Sequence, residues 1–119
     1  MRQEAAMPYI AVNTTQELSA AQKEKIKSEL GRLMTIIPTK TEAGLLVDFS
    51  GGRTMYKAGV SVDGAFINVK LFRKSELEPK KQYTAEIFNL LIRELGIKKE
   101  HIYMTIDEYE NWGSNGELH

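Results

Sequence analysis

The short apolar run Tyr9-Ile10-Ala11-Val12-Asn13 holds two β-branched residues and an aromatic, and it stops at the polar cluster Asn13-Thr14-Thr15, which predicts a short first strand. Ser19-Ala20-Ala21-Gln22 then has the form of a capping box, so a helix is expected to start at Ala20. Ile26, Leu30, Leu33 and Ile37 recur at spacings that lay one apolar stripe along that helix, with Lys23, Glu24, Lys27 and Ser28 facing water and Pro38 ending it. Leu45, Val47 and Phe49 alternate with Leu46 and Asp48 in a second strand, closed by Ser50-Gly51-Gly52.

The second half repeats this order. Val60-Ser61-Val62 and Phe66 to Phe72 flank Asp63-Gly64, a pair that tolerates the backbone of a tight turn, so a β-ribbon joining those two segments is expected. Pro79 suits the first turn of a second helix, whose stripe is Tyr83, Ile87, Leu90, Leu91 and Leu95, and Gly96 offers a left-handed C-terminal cap. Ile102, Met104 and Ile106 mark the last strand. Strand, helix and strand thus occur twice, with equivalent elements about 58 residues apart. Right-handed crossovers put both helices of two such βαβ units on one face of a four-stranded sheet, an α+β architecture. The other face, with Leu46 and Phe66 among its polar residues, is left bare, and burial by further copies of the chain is expected.

Composition narrows the functions open to such a sheet. With 119 residues there is room for one ordinary core. Sixteen basic against sixteen acidic residues give no cationic excess, which argues against nucleic acid as partner. The absence of cysteine removes disulfides, thiolate metal ligands and a cysteine nucleophile together. No apolar run approaches the roughly 20 residues of a membrane span, and Met1 to Met7 lack the apolar middle of a signal peptide, so a soluble, cytoplasmic protein without membrane association is expected.

Familiar catalytic signals are scarce. Two histidines, His101 and His119, cannot supply a histidine-rich metal site; His101 reads as structural and His119 as disordered. Ser50-Gly51-Gly52-Arg53 lacks the full phosphate-loop pattern and reads as a plain turn. Asp107, Glu108 and Glu110 read as solvated carboxylates at a strand end. Pro8 carries more chemistry. If the mature chain starts there, its nitrogen is a secondary amine that burial and a nearby cation can turn into a general base at neutral pH. Inside a longer chain the same nitrogen is an amide and is not basic, and Pro8 is then an edge-strand proline.

Met7-Pro8-Tyr9-Ile10-Ala11-Val12-Asn13-Thr14, then Leu95-Gly96-Ile97 with Ile102-Tyr103-Met104, then Asn111-Trp112-Gly113-Ser114-Asn115-Gly116 follow one another in an order and spacing that resembles the tautomerase superfamily, in particular its branch related to macrophage migration inhibitory factor. The resemblance runs from Met7 to about Gly116. It implies a homotrimer whose sheets line a central barrel, acting as a keto-enol tautomerase on a phenylpyruvate-type α-keto or enol acid without metal or organic cofactor. It assigns Pro8 as the base, Lys40 as the cation that pairs with the substrate carboxylate, Tyr103 as an aromatic hydrogen-bond donor lent by a neighbouring subunit, and Trp112 to the pocket rim.

Some positions depart from the family pattern. Leu71-Phe72-Arg73 replaces a serine-isoleucine-glycine stretch, which puts the larger Phe72 ring at the pocket wall and offers Arg73 as a second carboxylate partner. Thr105 stands where the family has an asparagine and gives a shorter reach. The cysteine pair used by some members for thiol chemistry is missing. Met1 to Met7 form an extension ahead of a domain expected over 8–119. Translation from Met1 leaves Pro8 acylated, because Arg2 blocks methionine removal, whereas a start at Met7 exposes it. The alternative to the enzyme is therefore a non-catalytic binding or signalling protein of the same fold.

Overall fold

Residues 8–119 are described by the computed structural model; the expected extension, Met1 to Met7, lies outside the described residues. Strand β1 (Tyr9–Thr14) leads to helix α1 (Ala20–Leu33) through the anticipated box: the Gln22 N–H donates to the Ser19 hydroxyl and the Ser19 N–H to the Gln22 side chain. The α-helix stops at Leu33, short of Pro38, and tightens into a 3-10 turn over Met34–Ile36. Ile37, the residue before proline, is extended at φ −90° and ψ 116°, as the proline ring requires of its neighbour. Its side chain is still fully buried, so the stripe outlasts the helix.

Strand β2 (Leu46–Ser50) runs parallel to β1, completing the first unit. Next come the short strands β3 (Met55–Lys57) and β4 (Val60–Val62), then β5 (Ala65–Phe72), helix α2 (Leu77–Leu95) and β6 (Ile102–Tyr109). A small hairpin, β7 (Gly113–Ser114) and β8 (Glu117–Leu118), ends the chain. The main sheet has the order β2-β1-β5-β6, with β5 antiparallel to β1 and parallel to β6. The two βαβ units therefore meet along β1 and β5. The stripes of α1 and α2 join Ile10, Val12, Ile67, Val69, Leu71 and Ile102 in one core, which places both helices on the same face. No helix among the described residues is long and apolar enough to cross a membrane.

The expected ribbon between Val60–Val62 and Phe66–Phe72 is corrected. Val60–Val62 pairs instead with Met55–Lys57, across a two-residue turn in which Ala58 and Gly59 both have positive φ, 52° and 78°. That turn geometry matches the twist of a hairpin, so the ribbon closes one step earlier in the chain. Gly64 serves the main sheet: its carbonyl accepts from the Thr15 N–H at 3.1 Å and from the Thr14 hydroxyl at 3.2 Å. A glycine is required there because a Cβ would sit 2.9 Å from the His101 carbonyl oxygen.

Residues of odd number on β1 and even number on β2 and β5 point away from the helices. The register aligns Leu46, Tyr9, Lys70 and Asp107 in one row of this outer face, and Ser50, Asn13, Phe66 and Tyr103 in another. Leu46, Phe66 and Tyr103 are exposed there.

Candidate active site

The antiparallel register of β1 and β5 sets Tyr9 opposite Lys70, so the start of β1 lies beside the end of β5. Pro8 is buried at that edge, where its carbonyl accepts from the Leu46 N–H at 3.0 Å. Lys40 reaches the same edge from the loop after α1. Its Nζ donates to the Phe72 carbonyl at 3.0 Å, and among the described residues it is the one charged residue the fold buries. An ammonium has three donors, so the carbonyl leaves capacity for a ligand anion. Burial is the main influence on this group and pulls it below the usual lysine range; Glu108 opposes that pull and Arg73 adds to it.

Backbone strain concentrates beside the two cations. Thr39, just before Lys40, has φ 71°, and Arg73 has φ 74°. A β-branched residue in this region is an outlier, held only where neighbours over-determine it. Arg73 is fixed by its N–H donating to the Tyr109 carbonyl at 2.8 Å, and its guanidinium lies 4.7 Å from the centre of the Phe72 ring.

Phe72 would by alternation face outward, yet it is fully buried. The C-terminal hairpin covers it: the rings of Trp112 and His119 each lie 6.4 Å from the Phe72 ring, and Tyr109 lies 6.1 Å from Trp112. Trp112 and His119 exchange two backbone hydrogen bonds that close the hairpin, and His119 Nε2 is 3.0 Å from the Ser114 hydroxyl. The expectation of a disordered His119 is therefore corrected, because backbone pairing and the ring contact hold it. Asn115 and Gly116, at φ 51° and 82°, form the two-residue turn.

Pro8, Lys40, Phe72, Arg73 and Trp112 thus share one end of the sheet. Tyr103 and Thr105 do not join them within the chain. Tyr103 pairs with Phe66, six residues from Phe72 along β5 and about 20 Å away at roughly 3.3 Å per residue. Its ring lies 5.3 Å from the Lys57 ammonium, on the wall of a cavity of about 360 Å³ that Met55, Tyr56 and Phe66 also line. Thr105 is exposed halfway along the edge strand β6, donating to the Asn68 side chain at 3.1 Å.

One residue of this end was misread in the sequence. Glu108 is not solvated: its carboxylate accepts from the Ser75 N–H at 2.6 Å and from the Lys80 ammonium at 2.9 Å, and its side chain is 18% exposed. Its even number on β6 was the available signal, since Ile102, Met104 and Ile106 on the same face all turn inward. Among the described residues no group of three or more histidine or carboxylate side chains is arranged to hold a metal ion.

An architecture of two paired βαβ units with a C-terminal hairpin over one sheet end is the macrophage migration inhibitory factor-like tautomerase fold. Solved structures similar to this chain bear that out. One is a migration inhibitory factor from Leishmania major, MIF2, with a TM-score of 0.89, 20% identity and coverage of 96% of this chain and 98% of that one. Another is the migration inhibitory factor-like protein of Entamoeba histolytica, with a TM-score of 0.83, 19% identity and coverage of 95% and 99%. A third is Pt0534, solved after inactivation by 2-oxo-3-pentynoate, with a TM-score of 0.80, 17% identity and coverage of 91% and 93%. No family model and no curated protein matches the sequence.

Proposed function

We propose that this protein is a keto-enol tautomerase acting on α-keto acids of the phenylpyruvate type, with no metal or organic cofactor. The observation that carries this reading is the buried Lys40 ammonium at the sheet edge where Pro8 leads into β1. With Pro8 as the mature N-terminus, its amine takes the enol O–H proton, the oxygen keeps the electron pair to form C=O, and the C=C pair takes the same proton at carbon. Lys40 holds the substrate carboxylate and, as a neighbouring cation, keeps the amine unprotonated. Arg73 offers a second carboxylate contact, Phe72 and Trp112 wall the pocket, and in a homotrimer a neighbour's Tyr103, with Thr105 further along its strand, completes it.

A second reading keeps the fold and pocket without turnover. It is favoured by the Met7-Pro8 peptide bond in the chain as written, since an acylated nitrogen has no basic lone pair. Intact mass of protein expressed from its native gene separates the two. If the mass starts at Pro8, ultraviolet assay with enol phenylpyruvate is expected to show turnover that Pro8→Gly lowers by at least about 100-fold. An unchanged rate in that variant refutes the base. The conjugated alkyne of 2-oxo-3-pentynoate, which inactivates Pt0534, is an acceptor for an amine, so it should label the Pro8 peptide.

A further inference from the structure

We propose that Glu108 is a positioning residue for this site: it fixes the turn that carries Arg73 and supplies the negative charge that balances Lys40. This rests on the reading of Lys40 as the carboxylate partner and adds what keeps that partner charged. Strand β6 turns Ile102, Met104 and Ile106 toward the core, and the next inward position holds a carboxylate instead of an apolar side chain. Leaving a carboxylate there without partners would be strongly unfavourable, so the bonds it makes define its role.

Those bonds tie together three parts of the fold. The Ser75 N–H donation at 2.6 Å clamps the turn after β5, the segment that presents the Phe72 carbonyl to Lys40 and holds Arg73 at positive φ. The Lys80 bond at 2.9 Å joins the same carboxylate to the first turns of α2. The charged groups facing Glu108 are Lys80 on α2 and Lys74 on the turn, and those facing Lys40 are Glu108 on β6 and Arg73 on the turn. Glu108 is the one anion of this set. Burial, the largest single influence, pushes its carboxyl up, but the hydrogen bonds from Lys80 and Ser75 together with the charges of Lys80 and Lys74 outweigh it and hold the group below the ordinary range, so it stays charged while Lys40 titrates. For Lys40 the two unfavourable influences are burial and Arg73, and Glu108 is the influence that favours the ammonium.

The test follows the Lys40 side chain directly. The 13Cε resonance of Lys40, assigned by its loss in Lys40→Arg, is titrated in the full chain, in Glu108→Gln and in Lys80→Met. Glu108→Gln keeps a hydrogen-bonding side chain of the same size and is expected to move the Lys40 midpoint to lower pH. Lys80→Met removes a cation and leaves the carboxylate, and is expected to move it to higher pH. A role limited to packing moves both midpoints the same way or neither, and either result overturns the proposal. If Glu108→Gln does not fold, Glu108→Met, which puts an apolar side chain of similar size at this inward position, takes its place in the same titration with the same expected shift to lower pH. Binding of phenylpyruvate, read by Trp112 fluorescence, should fall off at lower pH in Glu108→Gln than in the parent chain. Should the parent bind no phenylpyruvate, the tautomerase reading fails while the Lys40 midpoints still judge Glu108.

Discussion

Replacing Lys40 with methionine separates what this residue does for the pocket from what it does for the fold. Methionine keeps the length and most of the volume of the stem and removes the charge. Burying one ion costs several kcal/mol after relaxation. The bond to the Phe72 carbonyl is charge-assisted and returns about 1.5–3 kcal/mol, which the variant forfeits. The difference predicts that Lys40→Met is more stable by about 1–2 kcal/mol near neutral pH, a gain of roughly 3–10 °C in Tm for a chain of this size. The pH dependence has a definite sign. Lys40 titrates lower in the folded chain than its ordinary 10.5, so the unfolded chain holds the proton longer and the parent gains stability as pH rises through that window. The advantage of the variant is thus complete below the folded midpoint and fades between it and about 10.5. Urea unfolding read by Trp112, the only tryptophan, measures it at neutral pH and above pH 10. Two results refute the reasoning: a loss of more than about 1 kcal/mol at neutral pH, or a gain that does not change with pH. Either would make the ammonium a structural strut instead of a charge held for a ligand.

Tyr83 and Gly64 give two further tests. The Tyr83 hydroxyl is fully buried and, among the described residues, has no hydrogen-bond partner, so Tyr83→Phe should raise stability by about 1 kcal/mol in urea unfolding. A loss of that size would show that the hydroxyl is satisfied in solution. Gly64→Ala places a Cβ 2.9 Å from the His101 carbonyl and should cost about 1–3 kcal/mol, because the atom it meets is backbone and not the end of a flexible side chain. Unchanged stability would mean that the β5 and β6 ends can separate freely.

The core of the fold was legible because its signals are local and repeated. The Ser19 box marks the start of α1, the α2 stripe and the alternation of Val47 and Phe49 with Leu46 and Asp48 in β2 each name an element and its inward face, and two matching units leave little choice of sheet order. The ribbon was placed wrongly because Asp63-Gly64 is the stronger turn pair by composition, while Ala58-Gly59 is the one flanked by segments that pair. The β7–β8 hairpin was missed despite Asn115-Gly116, a strong two-residue turn signal, because its strands are two residues each and show no alternation. At the site, Lys40 could be singled out only by resemblance. Nothing in the local sequence says that a lysine two residues after Pro38 will be buried, since a contact 32 residues away on β5 decides it.

The fate of Phe72 explains why the buried ammonium lies at one sheet end and not the other. Both ends of the outer face carry aromatic residues, Phe66 and Tyr103 at one, Phe72 and Tyr109 at the other. Among the described residues only the second is roofed, by Trp112 and His119. Phe72 is fully buried under that roof, and a dry carbonyl is a stronger partner for the Lys40 ammonium than a solvated one. The same exclusion makes the ammonium costly to hold, so a counter-charge such as Glu108 becomes necessary behind the strand. At the Tyr103 end the ring is half exposed, 52%, and Lys57 stays in solvent contact, so no comparable field can develop there from this chain alone. A dry cation needs its roof, its counter-charge and its strained loop together, and the three meet only where β1 begins.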